Sequence, residues 1–416
     1  MSLRILWTCP YLPWPTIGGN RVRIYQLLRA LSARGHRITL FVQSPDAPDN
    51  AARSVLEPLL ERLVVVQHQR HWRHPLSLAT ATFAPYPTLA SSFGFVRQSR
   101  TTMNRLLADS WDAVQVEHSY SLQPLLPPLL DHRQPFVLTE HNVESRLVDI
   151  NRYTRWFPMP LVRHIRRYDK RRFHNWERRV MQAAAHVVAV TDQDARDMEA
   201  ICGRGVDVVA NGADVEGFAT VEPDATSRRI MFIANFGYPP NADAAIWAAE
   251  QVMPRIWQQL PDARFIICGS GMNPDWATRW PDPRIEWRGY VPDIQSVQRE
   301  CAVFLAPLRA GGGSKLKVLE AMAAGLAVIS TAEGVSGLTA SSGEDFLHGE
   351  TAGELANATT RLLEQPLLLR TIGESGRQYV AQHHAWPQLA LQMESIYSSL
   401  SPVHHVRRHT SPHATR

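Results

Sequence analysis

The chain has 416 residues, of which 44% are hydrophobic and 20% charged, and this composition excludes a disordered or fibrous protein. One hydrophobic core rarely serves so long a chain, so we expect two domains. The net charge of +5 is mild for this size and fits an anionic small ligand or a membrane surface as well as nucleic acid.

The N-terminal half alternates short apolar runs with segments of helical periodicity. The clearest amphipathic segment has apolar residues at Ile24, Leu27, Leu28 and Leu31 and is followed by Gly35, as is typical of a helix C-terminus. Six runs have strand length: Ile5–Trp7, Ile38–Val42, Leu63–Val66, Ala113–Val116, Phe136–Leu138 and His186–Val190. Strands that alternate with helices predict a parallel sheet covered on both faces.

The same alternation begins again after residue 207. The predicted strands are Ile230–Ile233, Phe265–Ile267, Val303–Leu305 and Leu326–Ile329, and the predicted helices lie near Ala242–Gln258, Lys315–Ala324 and Glu354–Leu363. Between the halves, Val208–Asp214 ends a strand in an Asn-Gly turn, where we place the hinge. The sequence therefore predicts an α/β protein of two Rossmann-like, doubly wound parallel-sheet domains, residues 1–207 and 208–384, which face each other across a cleft. We expect a helix over residues 385–400 that packs back on the first domain, and a disordered His-rich tail without function over residues 401–416.

The N-terminus and the cysteines bear on the compartment. The opening MSLRILWTCPYLPW has an apolar run too brief for a signal peptide, and no window approaches the roughly 18 consecutive apolar residues of a membrane span. Cys9, Cys202, Cys268 and Cys301 are far apart and form neither a CxxC pair nor a disulfide framework. We expect a cytoplasmic protein whose membrane contact, at the inner face of the cell membrane, is peripheral.

The strongest charge feature is the segment Arg152–Val180, in which basic residues far outnumber Asp169 and Glu177. Its apolar residues form an approximate stripe: Leu161, Ile165, Tyr168, Phe173, Trp176 and Val180. A basic amphipathic helix can lie on anionic lipid, and the same pattern also describes a helix that packs on the first domain and exposes its charges to solvent. Nucleic acid is not an expected partner, because no base-reading motif accompanies the charge.

The stretch GGGSKLKVLEAMAAG, Gly311–Gly325, predicts a strand-to-helix turn that binds an anion. The first amides of such a helix are unpaired and carry partial positive charge, which suits a phosphate. Lys315 and Lys317 stand in the first turn, where the helix dipole favours acids, so an anionic ligand would account for them. The residue order is not that of a Walker A loop, GxxxxGK[ST].

Glu320 follows one helical turn after Lys317. A ligand that straddles the helix start could meet the lysine at its phosphates and the glutamate at a sugar hydroxyl. An exposed ion pair between the two, which contributes only a few tenths of a kcal/mol, is the alternative reading.

The run GGGSKLKVLEAMAAGLAVIST resembles the segment GxGxxxKxxEAMAxGxPVV of the GT-B glycosyltransferases, specifically the large retaining family 4, which uses nucleotide-sugar donors. Other stretches resemble further family motifs in the same order: Pro10–Gly19, Thr139–Asn142, Val208–Asp214, Phe265–Gly271 and Arg288–Asp293. The resemblance covers nearly all of residues 3–400. It implies the GT-B fold for the two predicted domains.

The resemblance and the charge pattern together assign roles to individual residues. The predicted catalytic residues are His141, Lys317 and Glu320. The donor diphosphate is expected to contact Gly18, Gly19, Gly312, Gly313, Ser314, Lys315 and Lys317. Ribose and base are expected to contact Glu320, Gly289, Tyr290 and Val291, and His118 is a candidate on the acceptor side. His141 follows a predicted strand at the sheet's carboxyl edge, where open α/β sheets place ligands.

Two positions depart from the family pattern. Gly312 stands where the family commonly has a second glutamate, eight positions before Glu320. Asn235–Asn241 contains no lysine or arginine, although the family often has a basic pair there. The donor-sugar contacts that the missing glutamate usually makes are therefore open, and the diphosphate charge must rest more heavily on Lys315 and Lys317.

The resemblance implies transfer of a sugar from a nucleotide diphosphate sugar to a hydroxyl acceptor, a carbohydrate or a lipid-linked precursor of the cell envelope, with retention at the anomeric carbon. Positioned cations and helix amides can stabilise the departing diphosphate. We expect no cofactor and no metal, because acidic residues do not cluster as Mg²⁺ ligands would. Two alternatives stay open: a sugar-nucleotide epimerase of similar fold, and a non-catalytic protein that binds a nucleotide sugar or a lipid head group. A dehydrogenase is less favoured, because Pro10–Gly19 lacks GxGxxG.

Overall fold

Two parallel β-sheets organise the chain in the computed structural model, which describes residues 2–67, 84–94, 97–146, 159–311 and 315–400. The first sheet contains β1 (Arg4–Cys9), β2 (Arg37–Ser44), β3 (Arg62–Gln67), β4 (Ala113–Glu117), β5 (Val137–Glu140), β6 (His186–Ala189) and β7 (Asp207–Val208). The second contains β8 (Arg229–Ile233), β9 (Arg264–Cys268), β10 (Ile285–Gly289), β11 (Val303–Ala306), β12 (Ala327–Ser330) and β13 (Leu347–His348).

The strand orders are β3-β2-β1-β4-β5-β6-β7 and β10-β9-β8-β11-β12-β13, and the paired strands are parallel. Each sheet is therefore doubly wound, with its switch point beside β1 or β8. Open α/β sheets bind ligands at the carboxyl ends of the strands near that point. The predicted fold of two Rossmann-like sheets is confirmed.

Helices cover both sheets. They are α1 (Gly19–Ala33), α2 (Asn50–Leu56), α3 (Thr88–Gly94), α4 (Arg97–Leu106), α5 (Leu126–Asp131), α6 (Met159–Ala183), α7 (Asp192–Cys202), α8 (Val215–Phe218), α9 (Pro239–Trp247), α10 (Met253–Trp257), α11 (Trp276–Arg279), α12 (Ile294–Glu300), α13 (Leu316–Ala323), α14 (Ala352–Glu364), α15 (Pro366–His383) and α16 (Trp386–Leu400). Single 3₁₀ turns lie at Glu57–Leu59, Ser119–Ser121 and Glu144–Arg146, and a π-helical turn, Ala248–Val252, joins α9 to α10.

Every strand predicted from apolar runs is present, and β7 lies at the strand end predicted at Val208, whereas β10 and β13 were not predicted. Apolar runs do not reveal these two strands, because β13 has only two residues and β10, IEWRG, carries two charged side chains. These strands form at the sheet margins, where neighbouring strands supply the pairing.

The chain passes between the two sheets twice, and the two crossings are hydrogen bonded. The Ala213 amide donates to the His384 carbonyl at 2.9 Å, and His384 Nδ1 lies 2.7 Å from the Asn211 carbonyl oxygen. Gly212 is required at this point, because a Cβ atom there would lie 2.5 Å from the His384 carbonyl oxygen. After the second crossing, α16 packs against α1 and buries Trp386 and Tyr397 in the core of the first domain.

Helix α6 contains the described part of the basic segment. It packs on the first domain through the buried side chains of Phe173, Trp176 and Val180. Within the helix, Asp169 and Arg172 form a buried ion pair, and Asp169 Oδ1 accepts from the Thr88 amide of α3 at 2.9 Å. The predicted stripe is wrong at one position, since Tyr168 is 49% exposed while its neighbour Asp169 is buried. Leu161 and the tail, residues 401–416, lie outside the described side chains.

The opposite side of α6 exposes basic residues, namely Arg163, Arg167, Lys170, Arg171 and Arg178. Contact of this side with anionic lipid stays a prediction. Across the residues that the structure describes, no helix is both long and apolar enough to cross a bilayer.

Candidate functional site

Helix α13 begins at the carboxyl end of β11, as the glycine-rich stretch predicts. Lys315 is its N-cap residue and makes no side-chain capping bond, so the first amides of the helix have no side-chain partner from the cap. Gly312, Gly313 and Ser314 lie outside the described residues.

Lys317 places a partly buried ammonium group beside the start of α13. Its Nζ donates to Asn241 Oδ1 at 2.5 Å and lies 5.3 Å from the centroid of the Phe232 ring. Burial lowers the pKa of Lys317 to about 7, and the nearby charge of Lys315 acts in the same direction. No carboxylate pairs with Lys317 in the described part of the chain, so an anionic ligand would supply the counter-charge that this position lacks.

Lys315 lies between the two domains. Its Nζ is 2.9 Å from Glu333 Oε1, and Glu333 follows β12 in the second domain. The same ammonium group also acts on Asp194, on α7 of the first domain. Burial raises the pKa of Asp194, and the positive charge of Lys315 opposes that rise. Lys315 is therefore within electrostatic reach of both sides of the cleft.

The start of α1 meets the start of α13 across the cleft. Gly18 is the N-cap of α1, and a Cβ atom on Gly19 would lie 3.0 Å from Leu316 Cδ1. Two helix N-termini, each with partial positive charge and neither with a side-chain cap, thus converge on one place. Such convergence favours a ligand with negative charge.

A cavity of about 330 Å³ lies between the domains, with Glu320 in its wall. This volume is within the range of small-ligand sites. Burial raises the pKa of Glu320 to about 7, and the nearby carboxylate of Asp214 adds to the rise. The lining residues are Trp14, Thr16, Val22, Tyr25, Gln26, Arg29, Asp214, Gly217, Phe218, Gln295, Glu320 and Trp386.

The predicted base-binding segment lies at the end of β10. Gly289 ends that strand, Tyr290 is 64% exposed, and Val291 follows. Gln295, in the next helix, lines the cavity. Gly289, Tyr290 and Val291 themselves do not line the cavity, so their contact with the base stays a prediction.

His118 and His141 come together at the carboxyl ends of β4 and β5, with stacked rings whose centroids are 4.4 Å apart. His141 Nε2 lies 2.7 Å from Glu117 Oε2, and both side chains are almost fully buried. His118 Nε2 lies 2.7 Å from the Tyr11 hydroxyl, whereas its buried Nδ1 has no hydrogen-bond partner among the described residues. Burial lowers the pKa of both histidines well below the usual value, so both rings are neutral at pH 7.

His118 has a strained backbone, with φ of 65° and ψ of 123°. Neighbours hold it in place: the His118 amide donates to the Thr139 carbonyl at 3.0 Å, and the Ser121 hydroxyl donates to the His118 carbonyl at 2.9 Å. Next to it, the Ser119 amide donates to Glu140 Oε1 at 2.7 Å. Strain of this kind in a non-glycine residue costs about 1–3 kcal/mol and clusters at functional sites.

Comparison with protein families decides which architecture this is. Residues 17–216 match the family model described as Glycosyltransferase Family 4, and residues 227–365 match that described as Glycosyl transferases group 1. The chain belongs to the GT-B glycosyltransferases of the family 4 type.

Relatives of this glycosyltransferase occur in bacteria. An uncharacterised 44.6 kDa protein of the cps region of Klebsiella pneumoniae is 22% identical over 350 residues, which are 82% of this chain and 84% of that protein. The phosphatidyl-myo-inositol mannosyltransferase of Mycobacterium tuberculosis H37Rv is 30% identical over 155 residues, which are 35% of this chain and 39% of that enzyme.

Solved structures of the same fold align with the glycosyltransferase over almost its whole length. HepE of Anabaena, solved with UDP and glucose, has a TM-score of 0.67 at 15% identity and covers 96% of this chain and 100% of its own. Sucrose-phosphate synthase of Thermosynechococcus elongatus has a TM-score of 0.67 at 18% identity and covers 96% and 99%. At these identities the likeness shows the shared fold.

Among the residues of the candidate site, sequence reasoning did not single out Tyr11, Glu117, Asn241 and Glu333. Glu117 directly precedes His118 at a strand end, so the strand-end rule that selected the histidines applies to it as well. Asn241 lies in the segment that sequence reasoning searched only for lysine and arginine. Tyr11 and Glu333 reach the site through tertiary packing, which no local pattern reports.

Proposed function

We propose that this glycosyltransferase transfers a sugar from a nucleotide diphosphate sugar to a hydroxyl group of a carbohydrate or lipid-linked acceptor, with retention at the anomeric carbon. The observation that carries the proposal is the Lys317 ammonium group, which lies at the start of α13 without a carboxylate partner among the described residues. The start of α1 faces it across the cleft. HepE, of similar fold, was solved with UDP and glucose, and the mycobacterial relative is a mannosyltransferase.

Each part of the donor has a partner in this proposal. Lys315, Lys317 and the first amides of α1 and α13 hold the diphosphate and stabilise the charge that it gains as the glycosidic bond breaks. Glu320 accepts hydrogen bonds from ribose hydroxyls in the cavity, and Tyr290 stacks on the base. The pair of His118 and His141, stacked at the carboxyl ends of β4 and β5, is assigned to the transferred sugar. The acceptor enters from the first domain.

A thermal-shift panel tests the proposal directly, because a specific ligand raises the melting temperature by mass action. The panel contains UDP, GDP, UDP-glucose and GDP-mannose. Stabilisation by one base over the other identifies the donor class, and no shift with any of them refutes the proposal. Release of nucleoside diphosphate that needs an added acceptor separates transfer from epimerisation and from binding alone.

We expect Glu320→Gln to weaken nucleoside diphosphate binding by roughly 10- to 100-fold, because hydrogen bonds to a charged acceptor contribute about 1.5–3 kcal/mol. Titration calorimetry with the diphosphate from the panel measures the change. Inorganic pyrophosphate is the control ligand: it has no ribose, so its affinity should be the same for both proteins. Equal affinity of the two proteins for the nucleotide contradicts the ribose role.

We expect nucleotide-sugar affinity to peak near pH 7. Lys317, whose pKa is lowered to about 7, must hold a proton to pair with the diphosphate, so affinity falls as pH rises above 7. Glu320, whose pKa is raised to about 7, must lose its proton to accept ribose hydroxyls, so affinity falls as pH drops below 7. Each limb has a slope of at most about tenfold per pH unit.

The nucleotide sugar itself does not titrate between pH 5 and 8, so both limbs within this range belong to the protein. Calorimetry across this range measures them. Lys317→Met should flatten the alkaline limb and Glu320→Gln the acidic one. A pH-independent affinity in the unmodified protein would show that neither group titrates on binding.

A further inference from the structure

We propose that Glu333 binds the hydroxyl groups of the donor sugar, an inference that rests on the proposed function. Glu333 Oε1 lies 2.9 Å from Lys315 Nζ. A Cβ atom on Gly311 would lie 3.2 Å from the same oxygen and 3.3 Å from the same nitrogen. The carboxylate therefore lies against the glycine loop, directly beside the cation assigned to the diphosphate.

The turn that carries Glu333 is tightly built. The Thr331 hydroxyl donates to the Leu308 carbonyl, and the Gly334 amide donates back to that hydroxyl at 3.1 Å. Gly334 leaves no room for a side chain, because its Cβ atom would lie 2.8 Å from the Ala306 carbonyl oxygen. On the other side of Glu333, the Ala332 amide donates to Glu350 Oε1 at 2.7 Å. The backbone of Glu333 is thus tied to the end of β11, where the glycine loop starts.

The negative charge of Glu333 determines which part of the donor its carboxylate can bind. A negative group beside the diphosphate repels it and weakens its binding, so Glu333 is unfavourable for that part of the ligand. A sugar on the distal phosphate is neutral and rich in hydroxyl groups, and it must lie within a few ångströms of the loop that holds the phosphate. Carboxylates accept short, charge-assisted hydrogen bonds from hydroxyl groups.

The ion pair with Lys315 gives this arrangement two states. Without ligand, Lys315 and Glu333 neutralise each other. When the diphosphate binds, it competes for the Lys315 ammonium, and Glu333 becomes an acceptor for sugar hydroxyls. Glu333, in the turn after β12, thereby supplies the carboxylate that the glycine loop lacks at Gly312.

The test compares two ligands on one variant. Glu333→Gln should bind the nucleotide sugar roughly 10- to 100-fold more weakly than the unmodified protein does, because charged hydrogen bonds to the sugar are lost. The same variant should bind the bare nucleoside diphosphate equally well or more tightly, because the repulsion is gone. Titration calorimetry uses the pair that stabilises the unmodified protein in the panel, UDP with UDP-glucose or GDP with GDP-mannose.

Glu350→Gln is the matched control, since it changes the carboxylate after β13 that accepts from the Ala332 amide of this turn and pairs with His348; it should leave the difference between the two ligands unchanged. If Glu333→Gln alters both affinities by the same factor, Glu333 is only the counter-ion of Lys315 and the proposal is overturned. If that variant does not fold, Glu333→Asp, which withdraws the carboxylate by one methylene, carries the same comparison. Absence of diphosphate binding by the unmodified protein would instead refute the proposed function.

Discussion

Lys317→Met is expected to lower turnover by about two to three orders of magnitude while the fold persists, since one preorganised charge on a developing anion has an effect of this size. The variant removes the ammonium group, which lies 5.3 Å from the centroid of the Phe232 ring, and keeps an unbranched apolar side chain at this position. Steady-state release of nucleoside diphosphate measures the loss, and Lys170→Met, on the exposed side of α6, is the matched control.

Stability should change in the opposite direction. The folded-state pKa of Lys317 lies below its unfolded value, so the charged lysine destabilises the fold at and below pH 7, and this cost disappears as pH rises toward the unfolded pKa. Lys317→Met should therefore melt at the same or a higher temperature at pH 7. Unchanged turnover would refute the diphosphate role, and a marked fall in melting temperature would show that the lysine is a structural residue.

His118→Gly is expected to lower turnover by about a hundredfold and yet to be more stable than His118→Ala. Both variants remove the imidazole that we assign to the sugar. Only glycine adopts a φ of 65° with a ψ of 123° without strain, so we expect a difference of about 1–2 kcal/mol in the free energy of unfolding in favour of glycine. Urea unfolding of the two variants measures this difference, and donor turnover measures the common loss.

The comparison of glycine with alanine separates strain from cavity formation, because both changes empty nearly the same volume. At an unstrained position glycine would be the less stable of the two. Alanine as the more stable variant would show that the backbone of His118 is relaxed. Full turnover in either variant would remove His118 from the sugar site and leave His141 and Glu117 as the groups to test.

Periodicity was enough to predict the two sheets, because most of their strands are buried on both faces and contain short apolar runs such as Phe265–Ile267 in β9. The lysine-bearing helix was predictable for a different reason. Lys315 and Lys317 oppose the helix dipole, and a local conflict of this kind marks a functional position.

Pairwise geometry was not predictable. Sequence reasoning favoured His141 over His118, and the structure gives the two rings different surroundings. His141 Nε2 pairs with the Glu117 carboxylate, whereas His118 Nδ1 has no hydrogen-bond partner among the described residues. Glu333 lies 18 residues beyond Lys315 in the chain and meets it only because β11 and β12 are adjacent. Such contacts depend on the stagger of neighbouring strands and on the path of the turns that follow them.

The position of α16 has a consequence for synthesis of the chain. Its Tyr397 hydroxyl donates to Gln115 Oε1 in the centre of the first sheet at 3.1 Å, and its apolar face covers α1. The first domain thus cannot complete its interior until α16 has left the ribosome. A nascent chain that ends near residue 210 would leave one flank of α1 exposed to water until α16 emerges and packs on it.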